Sequence, residues 1–280
     1  MLMSGDIQAE IKKIHKLGTH IQSLGIFSFI AIIVLYSLED LSGVGSLGYF
    51  SHIGFFPSAA LGFSILVTFI LIILILYGLT YLNRFLCSEG ITWGIRLFGL
   101  SILLPILSLF LVSFIDYLGI YLSVNNPIIL GLIGLLIIGL ILGPMSFIFL
   151  INEIRKIGVE NNVKEIARPA LFAILVILVL IIISIIDMTN AYSIAYFYRP
   201  LIYMPGLTLV TIIFEILLII SIMMIGKGFY YLSEKLRDSI LQIPVEELKD
   251  KAHKTTLQQA KELAREYNVP PLLVLMLKTL

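Results

Sequence analysis

The sequence predicts an all-α, polytopic membrane protein: six transmembrane helices arranged as three tandem hairpins, both termini in the cytoplasm, and a small cytoplasmic helical tail. Three observations carry that prediction. Hydrophobic residues make up 59% of the 280 and charged ones 13%, with a mean hydropathy of +1.04. That is more apolar surface than one water-soluble core of this length buries. Six stretches are apolar over the length a bilayer demands. Lys and Arg are also segregated, all but one of the 19 falling on one side of the resulting topology.

In chain order, residues 1–20 form an amphipathic segment with Lys12, Lys13 and Lys16. The spans then run from Ile21 to Leu38, Ser58 to Thr80, Leu97 to Ile115, Pro127 to Ile151, Ala170 to Ile186 and Gly206 to Ile225. A hydrocarbon core about 30 Å thick takes about 20 helical residues. Pro57, Pro127, Pro169 and Pro205 each fall at or just before a span, where proline suits a first helical turn. A cleaved signal peptide is the rival reading of the first span, with Gly43 and Gly45 as small residues behind it. Residues 1–20 are a longer lead than the short basic region of such a peptide.

Orientation follows from the cations. Arg84 and Arg96 bracket the second loop, Arg155, Lys156, Lys164 and Arg168 fill the fourth, and the rest, from Lys227 to Lys278, follow the last span. Only Arg199 lies opposite, among Glu39, Asp40, Asp116 and Asp187. The basic side is therefore expected in the cytoplasm, the chain in the plasma membrane, and the lipid bilayer as its main partner.

The inner ends of the even-numbered spans share a pattern: GLTYLNRFL from Gly78, SFIFLINEI from Ser146 and GFYYLSEKL from Gly228. The odd-numbered spans are entered through IKKIHKL from Ile11, ITWGIRL from Ile91 and VKEIARP from Val163, each with a base at its sixth position. Three hairpins inserted in the same sense account for this. So does the general preference for an aromatic at the headgroup level with a cation beyond it. The segment Gly228 to Glu234 resembles the glycine-to-leucine-serine-acid ends of hairpins in archaeal multi-pass membrane proteins of unknown function. That resemblance covers about residues 8–238 and implies a membrane domain, with no activity, ligand or site residue attached. The Pro-x-acid-x-x-basic signature of mitochondrial carriers is absent from all three hairpins.

Polar residues inside the spans are the candidates for function. Glu215, in TIIFEILLII, sits near the middle of the last span, and an ionised carboxylate there costs several kcal/mol. Thr208 and Thr211 share its helix face at i−7 and i−4. Ser64 and Thr68 on the second span, and Ser101 and Ser108 around Pro105 on the third, make similar lines. Such a seam can hold a small ligand, a proton relay or an ion. Equally, each hydroxyl can bond its own i−4 carbonyl and a protonated Glu215 can bond Thr211 or a neighbouring helix. Pro105 and Pro144 are candidate helix breaks. On the fourth span, Gly139 and Gly143 form a GxxxG for close helix packing, within the chain or between copies. The outer loop tyrosines, Tyr192, Tyr196, Tyr198 and Tyr203, read as an interfacial girdle.

Several classes are disfavoured. The single Cys87 rules out an internal disulfide or a cysteine-built metal centre in one chain, and His15, His20, His52 and His253 have no metal-ligand spacing. A net charge of +1 does not suit a nucleic-acid binder. No catalytic residue, cofactor or metal site is expected, since GFS at Gly62 has no intramembrane histidine to pair with. After Arg237 the composition turns soluble. Pro244, Glu246 and Glu247 start a helix, and Asn268 and Pro270 end one. PPLLVLMLK resembles the second helix of a helix-turn-helix but is too apolar to read DNA. Residues 239–280 are therefore expected to dock, on the membrane domain, on a protein partner or on the bilayer surface. The functional expectation is a non-enzymatic membrane scaffold or complex component with a docking tail. The alternative is a proton-linked or small-solute transporter using Glu215.

Overall fold

A chain that enters hydrocarbon must bond every backbone N–H and C=O to itself, and a helix does this locally. The computed structural model describes residues 3–44, 55–117, 126–197 and 205–280, with side chains over 6–33, 66–115, 126–186 and 210–280. Among the described residues the regular elements are all helices: α1 (Met3–Val44), α2 (Phe55–Leu86), α3 (Glu89–Tyr117), α4 (Pro127–Glu160), α5 (Lys164–Phe197), α6 (Pro205–Gln242), α7 (Val245–His253), α8 (Leu257–Glu266) and α9 (Pro271–Thr279). Arg199, Tyr198 and Tyr203 lie outside the described residues, as do the side chains of Glu39, Asp40, Ser64, Asp116, Asp187, Tyr192, Tyr196 and Thr208.

α1 to α6 are long and apolar enough to cross a membrane. They present large apolar side chains outward, such as Ile106, Phe110 and Leu140 at 59%, 64% and 62% exposure, a surface suited to lipid. Each helix outruns its apolar stretch. α1 continues from Met3 through residue 20, and α6 reaches Gln242. Intrahelical hydrogen bonds persist where the chain leaves hydrocarbon, so a hydropathy boundary is not a helix boundary. Pro127 and Pro205 open α4 and α6. Pro169 instead lies inside α5. Having no N–H, it leaves the Glu165 carbonyl without its i+4 donor. A Cβ on Gly228 of α6 would lie 2.7 Å from that oxygen.

The described helices divide into two units: residues 1–86 with 154–280, and residues 87–153. In the first, α6 packs against both α1 and α5, and α1 also packs against α2. Two glycines of α6 serve different neighbours. A Cβ on Gly226 would meet Gly18 and Gln22 of α1, and one on Gly228 would meet Glu165 and Ile166 of α5. Glycine is unfavourable in a helix interior by roughly 1 kcal/mol against alanine, and close backbone approach is what it permits here. In the second unit, α3 and α4 run antiparallel. Gly94 receives Leu150, Phe98 meets Phe147 edge-on at 5.6 Å, and Pro105 fills the space over Gly139.

The tail adds α7 to α9 to the first unit. α8 starts with a capping box, Thr256 and Gln259 exchanging bonds, which satisfies two orphan groups at once. Asn268 adopts a left-handed φ of 52° and turns the chain into α9. Residues Leu272 to Leu277 are all buried, packed by α7, α8 and the end of α2. A helix apolar on every side needs cover on every side.

Candidate functional site

Glu215 and Thr211 lie one turn apart on α6, both half-buried, and neither is without a partner. Thr208 is in the same helix, with its side chain outside the described residues. Further along, Ser221 is buried and donates to the Leu217 carbonyl of its own helix at 2.7 Å. On α2, the Thr68 hydroxyl is buried with no hydrogen-bond partner, but α2 packs on α1. The hydroxyls of α3 are spoken for by carbonyls: Ser101 donates to Phe98 at 2.7 Å, and Ser108 crosses to Leu132 of α4, also at 2.7 Å. Gly139 is the tight point of the GxxxG, where a Cβ would lie 2.4 Å from Pro105. A Cβ on Gly143 would be 3.9 Å from Ser101, an ordinary contact.

The most developed polar arrangement lies at the other end of the helices, around Asn161. α4 ends at Glu160, and Asn162 takes a left-handed φ of 57°, the conformation asparagine tolerates after a helix. Asn161 is 2% exposed. Its Nδ2 donates to the Ile157 carbonyl at 2.9 Å, and its Oδ1 accepts the Leu272 N–H at 2.9 Å. That N–H belongs to the first turn of α9, whose N-cap, Pro270, has no side chain able to accept it; an asparagine from a distant turn takes the capping role. Lys235 of α6 donates to the Asn161 carbonyl at 3.0 Å, placing a cation at the C-terminus of α4, where the dipole favours it. Lys261 of α8 pairs with Glu160 at 2.6 Å. The α4–α5 turn, α6 and the tail thus meet at one buried amide.

The second unit has its own polar contact at the start of α3. Ser88 accepts the Ile91 N–H at 3.3 Å and donates to Glu153 Oε2 at 2.6 Å. Glu153 is 8% exposed, and Gly90 packs directly on its carboxylate. In the tail, Tyr267 donates to Glu247 at 2.7 Å while Lys251 donates to Tyr267 and pairs with Glu247 at 3.0 Å. The Tyr267 hydroxyl, followed by Lys251, holds the Glu247 carboxyl below its ordinary value. Tyr267, then Glu247, raises Lys251.

Asn161, Lys235, Ser88 and Glu153 were not singled out by sequence reasoning. The Glu-Asn-Asn run at the end of α4 carries a helix-stop signal, but nothing local tells which donor the amide accepts. Among the described residues no group of His, Cys, Asp and Glu is placed to hold a metal ion. Compared with protein-family models, with curated proteins and with solved structures, the chain matches none.

Proposed function

We propose that this chain is a non-enzymatic component of the plasma membrane: six spans inserted as three tandem hairpins, both termini cytoplasmic, acting through helix packing and through its docked tail. The observation that carries the reading is the Asn161 junction. It fastens the tail to the α4–α5 turn and to α6 within the first unit, so the tail is a docked part of that unit in place of a free appendage.

The hairpin repeat is supported by matching burial. The fifth position of the shared pattern is buried in all three, at Leu82 on α2, Leu150 on α4 and Leu232 on α6. The resemblance to archaeal multi-pass proteins fits the same architecture and adds no activity. Affinity purification from native membranes tests the role. A membrane or cytoplasmic partner is expected at fixed stoichiometry, lost on deleting residues 244–280 while the spans still insert. Recovery of the full-length chain as a lone polypeptide would overturn it.

Transport remains the second reading, favoured by Glu215 in α6, the helix that both α1 and α5 pack against. A carboxyl in the middle of an apolar span is a group that a proton or small solute can reach only by a defined path.

A further inference from the structure

The sixth-position base of the repeat does more than mark the inner face. Between α1 and α2 lies a cleft of about 170 Å³ lined by Lys13, Lys16 and His20 together with Leu17, Leu74 and Tyr77. Between α5 and α6 lies a second, of about 390 Å³, lined by Lys164 and Arg168 together with Pro169, Phe172 and Met224. The two are built from the same repeat positions. Lys16 and Arg168 are the sixth residues of IKKIHKL and VKEIARP, Leu17 and Pro169 the seventh, and His20 and Phe172 follow three later. Leu74 and Met224 each precede the small residue of the facing motif, Gly78 or Gly228, by four.

The side chains of Lys16, Lys164 and Arg168 take part in no hydrogen bond or ion pair among the described residues. Lys13, by contrast, is held by Glu10 at 3.0 Å and Tyr81 at 2.8 Å. The cleft walls open toward lipid: Tyr77, Met224 and Phe172 are 73%, 52% and 44% exposed. Each cleft therefore combines at least one uncommitted cation with apolar, lipid-facing walls.

We infer that these clefts are binding sites for anionic phospholipid, the phosphate held at Lys16 or at Lys164 and Arg168 and an acyl chain lying along the apolar walls. Basic pockets between membrane helices at the headgroup level suit such lipids, and each base contributes about fivefold in affinity. The α1–α2 cleft is the stronger of the two, since Glu165 also lines the other. In the middle hairpin the equivalent base, Arg96, lies over its own Trp93 ring at 5.6 Å, and Gly94 lets Leu150 close in. The inference rests on the reading that these helix ends lie at a headgroup layer.

The test uses the full chain in nanodiscs of equimolar phosphatidylglycerol and phosphatidylcholine, followed by native mass spectrometry of retained lipid. The wild type is expected to retain phosphatidylglycerol preferentially, and Lys16→Gln and Arg168→Gln each to lower that preference about fivefold. Lys254→Gln, which removes the same charge in the tail, is expected to leave it unchanged. Equal retention of the two lipids by the wild type overturns the inference. So does an equal loss in the Lys254 variant, or displacement of the lipid by millimolar inorganic phosphate, which would make the clefts simple anion sites. Labelling of Cys87 by an impermeant maleimide in sealed inverted and right-side-out vesicles reports the membrane reading separately, so a failure of either is recognised as its own.

Discussion

Gly18 of α1 and Gly226 of α6 meet backbone to backbone: a Cβ on either one would lie 2.8 Å from the carbonyl oxygen of the other. Tyr230, one turn beyond Gly226, closes the same seam. Its ring meets His15 edge-on at 4.2 Å, and its hydroxyl shares a 3.0 Å hydrogen bond with Thr19. Between lipid-exposed helices there is no hydrophobic drive to associate, so closeness of this kind is what holds them.

Gly226→Ala is therefore expected to destabilise the protein by about 1–3 kcal/mol, the cost of overpacking a site that cannot yield. The nearest atoms are backbone, which makes relief by a rotamer change impossible. Gly131→Ala and Gly134→Ala are the controls, since nothing lies within 4 Å of either added Cβ. Helix propensity alone predicts a gain there of up to about 1 kcal/mol. Thermal melting in detergent separates the two cases, and equal effects at all three glycines would remove the seam from the account.

At the other end of α6, the junction predicts a local effect. Asn161→Ala leaves the Leu272 N–H buried without its acceptor, at a cost of about 1–3 kcal/mol. Hydrogen exchange is expected to accelerate through residues 257–280 and to stay unchanged in α1 and α5. Unaltered exchange at Leu272 would show that the tail is held by its apolar core alone.

Orientation can be read without engineering. Cys87 is the single cysteine, exposed in the turn between α2 and α3 with a left-handed φ of 48°. On the proposed topology, which puts both termini in the cytoplasm, that turn is cytoplasmic too. A membrane-impermeant maleimide is expected to label inverted vesicles and spare right-side-out ones. Labelling of right-side-out vesicles would reverse the topology, and with it the assignment of every basic turn.

These contacts differ in how visible they were in the sequence. The helices were legible because hydrocarbon leaves the backbone one local solution, and length with hydropathy reports it. Gly139 was legible because its GxxxG is local, while Gly18 and Gly226 were not, each being one glycine among many until α1 lies on α6. Asn161 is the extreme case. Its amide caps an N–H 111 residues away, and one hydrogen bond leaves no periodicity. Glu215 stood out for the opposite reason: a lone acid in an apolar run is conspicuous whatever it does.

The tail carries a small pH response of known sign. Glu247 sits below its ordinary value of 4.5, chiefly through the Tyr267 hydroxyl and then Lys251. Its contribution is complete above pH 4.5 and is lost as pH falls through the lowered value. Lys251, raised above 10.5, contributes fully below that pH and loses its share as pH climbs past it. Glu247 and Lys251 are exposed, so salt screens the effect. Tyr267→Phe is expected to shrink the acid-side loss of tail helicity, measured by circular dichroism at low salt. An identical acid profile in that variant would remove the hydroxyl as its cause.

Glu215→Gln decides between the two functional readings because it keeps the shape and most hydrogen bonding of the side chain while removing its titratable proton. A structural carboxyl bonded within its own seam tolerates this change, and melting temperature, insertion and partner recovery are then all expected to match the wild type. A proton-coupled carboxyl does not: the variant would insert with unaltered stability, yet proteoliposomes would lose the internal pH response that the wild type gives to an imposed gradient. Glu215→Leu sharpens the contrast. Replacing a polar group in hydrocarbon by an apolar one is worth about 2–3 kcal/mol toward insertion, so a packing role predicts equal or higher stability for Leu. A wild-type pH response in both variants would remove Glu215 from any transport mechanism and leave the docked tail as the functional surface.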